Sequence, residues 1–342
     1  MRAALLREYH QPLELIERPE PDVERPDQVV VKVGGAGVCA TDLHSIDGMM
    51  EAAGVTLPRV LGHENAGWVH AVGSMVTTVA PGDPVIIYPP YSCGLCPPCR
   101  RGNDMHCERH QFTGLTVDGG FADYVQVFER SVIKLPPGLE PAEIAPHADA
   151  GITAYHAVRR IAHLALPGTT AVIIGIGGVG HIALQLLREL GASRVIAVDS
   201  DERRRALARE LSADEVLDGG DDARAGVAEL TAGAGAEIVL DFVGTDQTHA
   251  DGIELLRRGG VYSLVGYGGT ISVASVAMIA TEKTVQANLV GTWPDLYELI
   301  QLHARGRLQL RVETHPLSEI NAVLDRLRAG EVTGRAVVVP EH

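Results

Sequence analysis

The sequence predicts an α/β chain in which a doubly wound parallel sheet follows an irregular β domain. Three observations carry this. Short β-rich runs separated by Gly, Pro and Asp fill the first 150 residues. Beyond them, apolar runs and helical stretches alternate, which is the pattern of βαβ units on a parallel sheet. A glycine-rich turn, Gly175-Ile176-Gly177-Gly178-Val179-Gly180, joins one such run to the next helix. The length of 342 residues fits two domains at roughly 100–200 residues each.

Taken in order, Val29–Val33 is a strand run that Gly34, Gly35 and Gly37 are expected to break. Val69–Val72, Val85–Tyr88 and Tyr124–Val127 are further short strands, bounded by turn residues. Thr153–Ala165 reads as a helix ending at Pro167-Gly168. Thr170–Ile174 and Val195–Val198 are continuous apolar runs of the kind buried on both faces in a parallel sheet. Helices are predicted over Gly178–Leu190, Glu202–Leu211 and near Ala250–Leu256, with strands at Ile238–Leu240 and Val261–Val265. Two more helices, Pro294–Ala304 and Ser318–Ala329, precede a final strand run, Ala336–Val339. Such a tail is expected to rejoin the first domain.

Charge and composition exclude several classes. The net charge is −15, and such a surface repels phosphate backbones, so no nucleic-acid partner is expected. No run of about 18 apolar residues spans a membrane. Met1–Leu15 is charged throughout and lacks a signal-peptide core, so a cytoplasmic setting is the default expectation.

The glycine turn has the context that gives G-x-G-x-x-G its meaning, a strand before it and a helix after it. Gly175 allows the tight turn, Gly177 lets a pyrophosphate approach the backbone, and Gly180 lets the helix pack on the strand. Free N–H groups at the helix start favour the phosphates. Asp199 ends the second strand, 19 residues after Gly180. A carboxylate there accepts from ribose hydroxyls and repels a 2′-phosphate, which favours NAD over NADP. Arg203 and Arg204 follow it and weaken that preference slightly.

Four of the five cysteines, Cys93, Cys96, Cys99 and Cys107, lie within 15 residues. That spacing suits a closed structural zinc site, with an iron–sulfur cluster as the weaker rival. Cys39, in Val38-Cys39-Ala40-Thr41-Asp42-Leu43-His44, and His63, in Leu61-Gly62-His63-Glu64-Asn65, stand apart. Alone, each reads as a buried small residue or an ordinary histidine.

Together, in this order, these motifs resemble the zinc-dependent medium-chain alcohol dehydrogenases over essentially the whole chain. The segments Leu61–Trp68 and Asp149–His156 are most similar to bacterial NAD-dependent secondary alcohol dehydrogenases. The resemblance implies a GroES-like catalytic domain, residues 1–150 and 293–342, holding two zinc ions. It implies a Rossmann domain, residues 151–292, holding NAD, with the site in the cleft between the domains. It assigns Cys39, His63 and Asp149 to the catalytic zinc, with His147 the rival to Asp149. Glu64 approaches that metal from behind, and a proton relay runs from Thr41 through the nicotinamide ribose to His44 and solvent. Without the resemblance, Thr41 has a second reading, as the N-cap of a helix starting at Asp42. Val179, Thr153, Val265 and Val290 are implied around the nicotinamide, Arg204 beside the adenosine ribose, and Arg335 at the pyrophosphate. The other reading of Arg335 is a cap on a surface strand end. Met49, Met50 and Trp293 are candidates for an apolar substrate pocket. The implied activity is oxidation of secondary alcohols to ketones, and the reverse, in a homotetramer or a dimer. Primary alcohols, aldehydes or polyols are the alternative substrates. A non-catalytic NAD-binding relative is the rival of a different class, and it would need no open zinc site. A zinc-independent quinone reductase relative is opposed by both cysteine-containing sites.

Overall fold

The computed structural model describes residues 1–191 and 193–341. The chain forms two compact units, Met1–Ile152 with Thr292–His342, and Thr153–Gly291.

The spine of the first unit is the strand Gln28–Val38, almost wholly buried. Consecutive valines suit it, because β-branched side chains pack on both faces. Across its sheet the order runs Val132–Lys134, Pro84–Ile87, Glu64–Val72, Gln28–Val38, Arg335–Val339, Val312–Pro316, with Tyr124–Phe128 also paired to Gln28–Val38. The C-terminal strand does rejoin this domain, pairing antiparallel as Ala336↔Val38 and Val338↔Ala36.

The glycines at 34, 35 and 37 do not end the strand, contrary to expectation. None of the three has a positive φ, so they supply space and not a turn. A Cβ on Gly34 would lie 2.6 Å from the Trp68 ring, and one on Gly35 2.6 Å from Ala142 Cα. A Cβ on Gly37 would overlap the Glu64 carboxylate. Their cost appears only as a register shift between Val33 and Gly35. The helix that follows also starts earlier than its apolar pattern suggests. It covers Ala40–Ile46 with Cys39, not Thr41, at the N-cap.

The second unit carries an all-parallel six-stranded sheet. Its order is Glu215–Leu217, Arg194–Val198, Thr170–Ile174, Ala236–Asp241, Leu256–Leu264, Thr284–Ala287. Thr170–Ile174 lies at the centre and every residue of it is buried. The strand order reverses between Thr170–Ile174 and Ala236–Asp241, which opens a crevice at the carboxyl ends of the strands. Two edge strands and two helices, Asp221–Leu230 and Ser275–Thr281, have no sequence signature. Thr284–Ala287 is mostly exposed. Asp221–Leu230 buries only Ala223 and Val227. So thin an apolar face does not show as helical periodicity. The helix after the glycine turn spans Gly180–Leu190 with Val179 at its N-cap, two residues later than predicted.

Candidate active site

The end of the strand Gln28–Val38 and the start of Glu64–Val72 are neighbours through the pair Gly37↔Glu64. That register sets Cys39 beside His63 and Glu64. Asp149 follows the short turn Ala145–Ala148 and precedes the helix Ala150–Ile161. Ligand atoms of Cys39, His63, Glu64 and Asp149 all lie within 4.8 Å of one another.

Their separations fit one ion. Cys39 Sγ is 3.7 Å from Asp149 Oδ2, and His63 Nε2 is 3.5 Å from the same oxygen. Metal bonds of about 2.0–2.3 Å place tetrahedral donors about 3.3–3.8 Å apart. His63 is 1% exposed, and its Nε2 is buried without a hydrogen-bond partner. A buried ring nitrogen so placed is costly unless a cation takes it. Burial lowers the His63 pKa, but the Asp42 and Asp149 carboxylates and Cys39 outweigh it and push the imidazole well above its ordinary value. Burial likewise raises Asp149, and the His63 contact outweighs it in the other direction. A thiol and two carboxylates round one imidazole are therefore a cage short of positive charge.

Asp42 is a site residue that the motif reading did not single out. Its Oδ1 lies 3.3 Å from His63 Nδ1, and its Oδ2 accepts from the Cys39 backbone N–H at 2.9 Å. One fully buried carboxylate thus faces the far side of the imidazole and caps the helix that starts at Cys39. Carboxylates in this position fix the tautomer and orientation of a metal-bound histidine. The available signal was Asp at the third helical position after Cys39.

Glu64 sits behind the cluster on two further supports. Its Oε1 accepts from the Ala150 N–H at 3.0 Å, and its Oε2 pairs with Arg335 Nη2 at 2.5 Å. Burial raises the Glu64 pKa despite the Arg335 charge beside it. Arg335 therefore has a different setting from the surface strand end that was one reading of it. It is 5% exposed, so it caps no surface strand. Its Nη2 is committed to Glu64 and to the Val38 carbonyl, 3.1 Å away. Pairing of the C-terminal strand to Gln28–Val38 brings the side chain inward to that position.

His147 is turned elsewhere. Its Nε2 lies 2.9 Å from His303 Nδ1, and it has no place in the donor cluster. Thr41 Oγ1 is 3.9 Å from Cys39 Sγ. His44 lies one turn further along the same helix, half-buried, and burial lowers its pKa. Met49 is exposed. Trp293 stacks on Tyr297 with ring centroids 5.6 Å apart. Both rings line a cavity of about 620 Å³ whose walls include Cys99 and Arg130 and neither Cys39 nor His63.

The second cluster joins Cys93, Cys96, Cys99 and Cys107. Cys96 Sγ is 3.4 Å from Cys99 Sγ and 3.9 Å from Cys107 Sγ. All four are unbridged. Sulfurs this close leave room for a single ion and none for a multi-iron cluster. Cys107 Sγ accepts from the N–H groups of Cys93 and Arg109 at 3.2 and 3.3 Å. Donation from the Leu95 and Cys96 amides holds the Cys93 thiol down to about 6. Burial, with Cys96 beside it, pushes Cys99 up to about 12. A set of four thiols with amides aimed at their sulfurs, and no fifth donor among the described residues, suits structural zinc.

In the second unit, Gly175 has φ +89°, and a Cβ on Gly177 would meet nothing within 4 Å. That open space lies over the glycine loop, at the start of the helix Gly180–Leu190, where a pyrophosphate can lie against free amides. A Cβ on Gly180 would overlap the Gly175 carbonyl. Asp199 is buried and clamps this loop. Its Oδ2 accepts from the Ile176 N–H at 2.7 Å and its Oδ1 from Asp201 N–H at 2.9 Å. Two such bonds leave lone pairs free on the carboxylate. Arg204 lies half-buried in the helix that follows. Val179, Thr153, Val265 and Val290 are all partly exposed.

A glycine loop at the switch point of a parallel sheet, and a buried Cys/His/carboxylate cage, define a metal-dependent oxidoreductase that uses a nucleotide cofactor. Comparison with known proteins agrees and narrows the class. The model of the alcohol dehydrogenase GroES-like domain matches residues 25–137, and that of the zinc-binding dehydrogenase matches residues 178–305. The chain belongs to the zinc-type medium-chain alcohol dehydrogenase family. An alcohol dehydrogenase of Geobacillus stearothermophilus is 36% identical over 341 residues, 99% of each chain. D-arabinose 1-dehydrogenase (NADP(+)) of Saccharolobus solfataricus is 34% identical over 348 residues, 99% of this chain and 97% of its own. The crystal structure of the alcohol dehydrogenase of the archaeon Aeropyrum pernix superposes with a TM-score of 0.97 at 44% identity, covering 99% of this chain and 100% of that one. No helix among the described residues is long and apolar enough to cross a membrane.

Proposed function

We propose that this dehydrogenase oxidises secondary alcohols to ketones with NAD, and runs the reverse reduction. The observation that carries the reading is the buried cage of Cys39, His63 and Asp149, with the Thr41 hydroxyl beside the thiol. These three residues hold the catalytic zinc, and Cys93, Cys96, Cys99 and Cys107 hold the structural one. When bound, zinc lowers the pKa of an alcohol hydroxyl and nicotinamide accepts the hydride. This chain's own residues do the rest. Asp42 faces the imidazole of His63 and caps the Cys39 helix. Arg335 and the Ala150 amide hold Glu64 behind the cage. The Thr41 hydroxyl accepts the alcohol proton as it passes its own on through the nicotinamide ribose to His44, whose pKa burial lowers, and His44 releases it to solvent.

For the cofactor, Gly175, Gly177, Gly178 and Gly180 seat the pyrophosphate, and Asp199 faces the adenosine ribose with Arg204 nearby. Val179, Thr153, Val265 and Val290 pack round the nicotinamide. Replacement of Asp199 by glycine should lower the ratio of kcat/KM for NAD over NADP by about tenfold or more, the effect of losing hydrogen bonds to a charged acceptor. An unchanged ratio would remove Asp199 from the ribose. Cys96→Ala should retain one zinc per chain by elemental analysis and unfold at a lower temperature. Two zinc ions per chain in the variant would mean that Cys96 is not needed to hold the second ion.

One observation favours a second substrate class, the relative named D-arabinose 1-dehydrogenase (NADP(+)). Turnover of 2-butanol, 1-phenylethanol, 1-butanol, a sugar alcohol and the aldose D-arabinose, each with NAD and NADP, separates the readings. Fast NADH formation from the two secondary alcohols, lost on chelation, supports the proposal. Turnover of the sugar alcohol, D-arabinose or 1-butanol alone keeps the mechanism and moves the substrate. We also read the assembly as a homotetramer, which sedimentation will check.

A further inference from the structure

The second unit holds a buried polar network that none of the steps above uses. Asp241 ends the strand Ala236–Asp241, the first strand beyond the switch point, and is 0% exposed. A carboxylate there is tolerable only with its oxygens bonded, and they are. Oδ1 accepts from the N–H groups of Val243 and Gly244 at 2.8 and 3.0 Å. Oδ2 accepts the Tyr262 hydroxyl at 2.6 Å. Because that phenol proton points to the carboxylate, His249 Nδ1, 2.8 Å from the same phenol oxygen, donates its own proton to it. His249 and Tyr262 are also buried. The ring of Tyr262 packs over Gly252 in the middle of the helix Asp246–Leu255, where a Cβ would overlap it. Glycine in a helix interior costs roughly 0.5–1 kcal/mol relative to alanine, and here it makes room for that ring.

The network controls two loops at once. Its side chain fixes Val243 and Gly244, while the Asp241 carbonyl accepts from the N–H groups of Val265 and Gly266 at 3.0 and 2.9 Å. The two loops touch, since a Cβ on Gly244 would overlap Gly266. The first loop also abuts the glycine turn, where a Cβ on Gly175 would lie 2.6 Å from Val243 Cγ2. Both loops leave the carboxyl ends of strands on the side of the switch point opposite Asp199. A dinucleotide lying across that crevice places its adenosine on the Asp199 side and its second nucleoside over these loops.

We propose that Asp241, Tyr262 and His249 are positioning residues that set the Phe242–Gly244 and Val265–Gly266 loops to receive the nicotinamide half of the cofactor. The inference rests on the reading of the glycine turn as an NAD site. The test is calorimetric titration of the full zinc-loaded chain with NADH, and with AMP as the adenosine half alone. Tyr262→Phe keeps the ring and removes the hydroxyl. It should weaken NADH by about tenfold, the effect of one hydrogen bond to a charged group, and leave AMP within about twofold. Asp241→Asn keeps Oδ1 for the two amides, and its new N–H₂ donates to the phenol oxygen, whose proton then turns to His249. It should bind NADH within about twofold of the parent, since the geometry survives without the charge. Unchanged NADH affinity in Tyr262→Phe overturns the proposal. So do equal losses for NADH and AMP, which mark a general loss of structure, and a loss in Asp241→Asn as large as in Tyr262→Phe. A parent chain that binds AMP but not NADH sinks the NAD reading and this inference together.

Discussion

Replacement of Asp149 by alanine should reduce alcohol turnover by about three orders of magnitude or more, because Lewis-acid stabilisation is worth several kcal/mol. The zinc content should fall from two ions per chain to one. Of the groups that face His63 Nε2, Asp149 is the carboxylate at 3.5 Å, and its oxygen also lies 3.7 Å from Cys39 Sγ. Removing it opens one corner of the cage and leaves a thiol and an imidazole, with the Glu64 carboxylate tied to Arg335 and the Ala150 amide, too few for a stable site. The four-cysteine lobe is built from a separate stretch of chain and should keep its ion. Elemental analysis and steady-state kinetics on one preparation decide the matter. Full zinc and full rate in the variant would return the third ligand to His147, which would then have to leave His303.

The second large effect belongs to Arg335. Its guanidinium faces Glu64 at 2.5 Å with both side chains buried. Glu64 shares its surroundings with the Asp149 carboxylate, which raises its pKa further. Arg335→Leu would leave that carboxylate buried among like charge. Removing one partner of a buried pair costs about 3–5 kcal/mol, so the urea midpoint should drop accordingly. Glu64→Gln in the same chain should restore part of the loss, because the uncompensated charge is then gone. A variant Arg335→Leu as stable as the parent would show that the pair holds nothing together.

Much of this was legible from local pattern. The four-cysteine spacing, the glycine turn and the buried strand Thr170–Ile174 each lie within 15 consecutive residues. Their chemistry needs only neighbours in sequence, so the structure reproduces them. Elements with a thin apolar face were not legible. Asp221–Leu230 and Thr284–Ala287 are stabilised by the sheet they join, and that support leaves no periodic trace in their own residues. The three glycines after Val33 misled for a related reason. Glycine signals a turn when its φ freedom is used, and here the missing Cβ is used instead, to admit Trp68, Ala142 and Glu64.

The sequence by itself determined which donor atoms exist and how they group along the chain. It offered thiols at metal-binding spacing, a histidine beside a glutamate, and a phosphate loop with a carboxylate 19 residues on. Only the tertiary structure decided between alternatives that local spacing leaves equal. His147 and Asp149 are two residues apart, and the turn that separates them sends one to His303 and the other to His63. Asp42 became a support for His63, and Arg335 met Glu64 across 271 residues of chain. Those partnerships depend on strand register. Register is fixed by burial of whole strand faces, so no short stretch of sequence contains it.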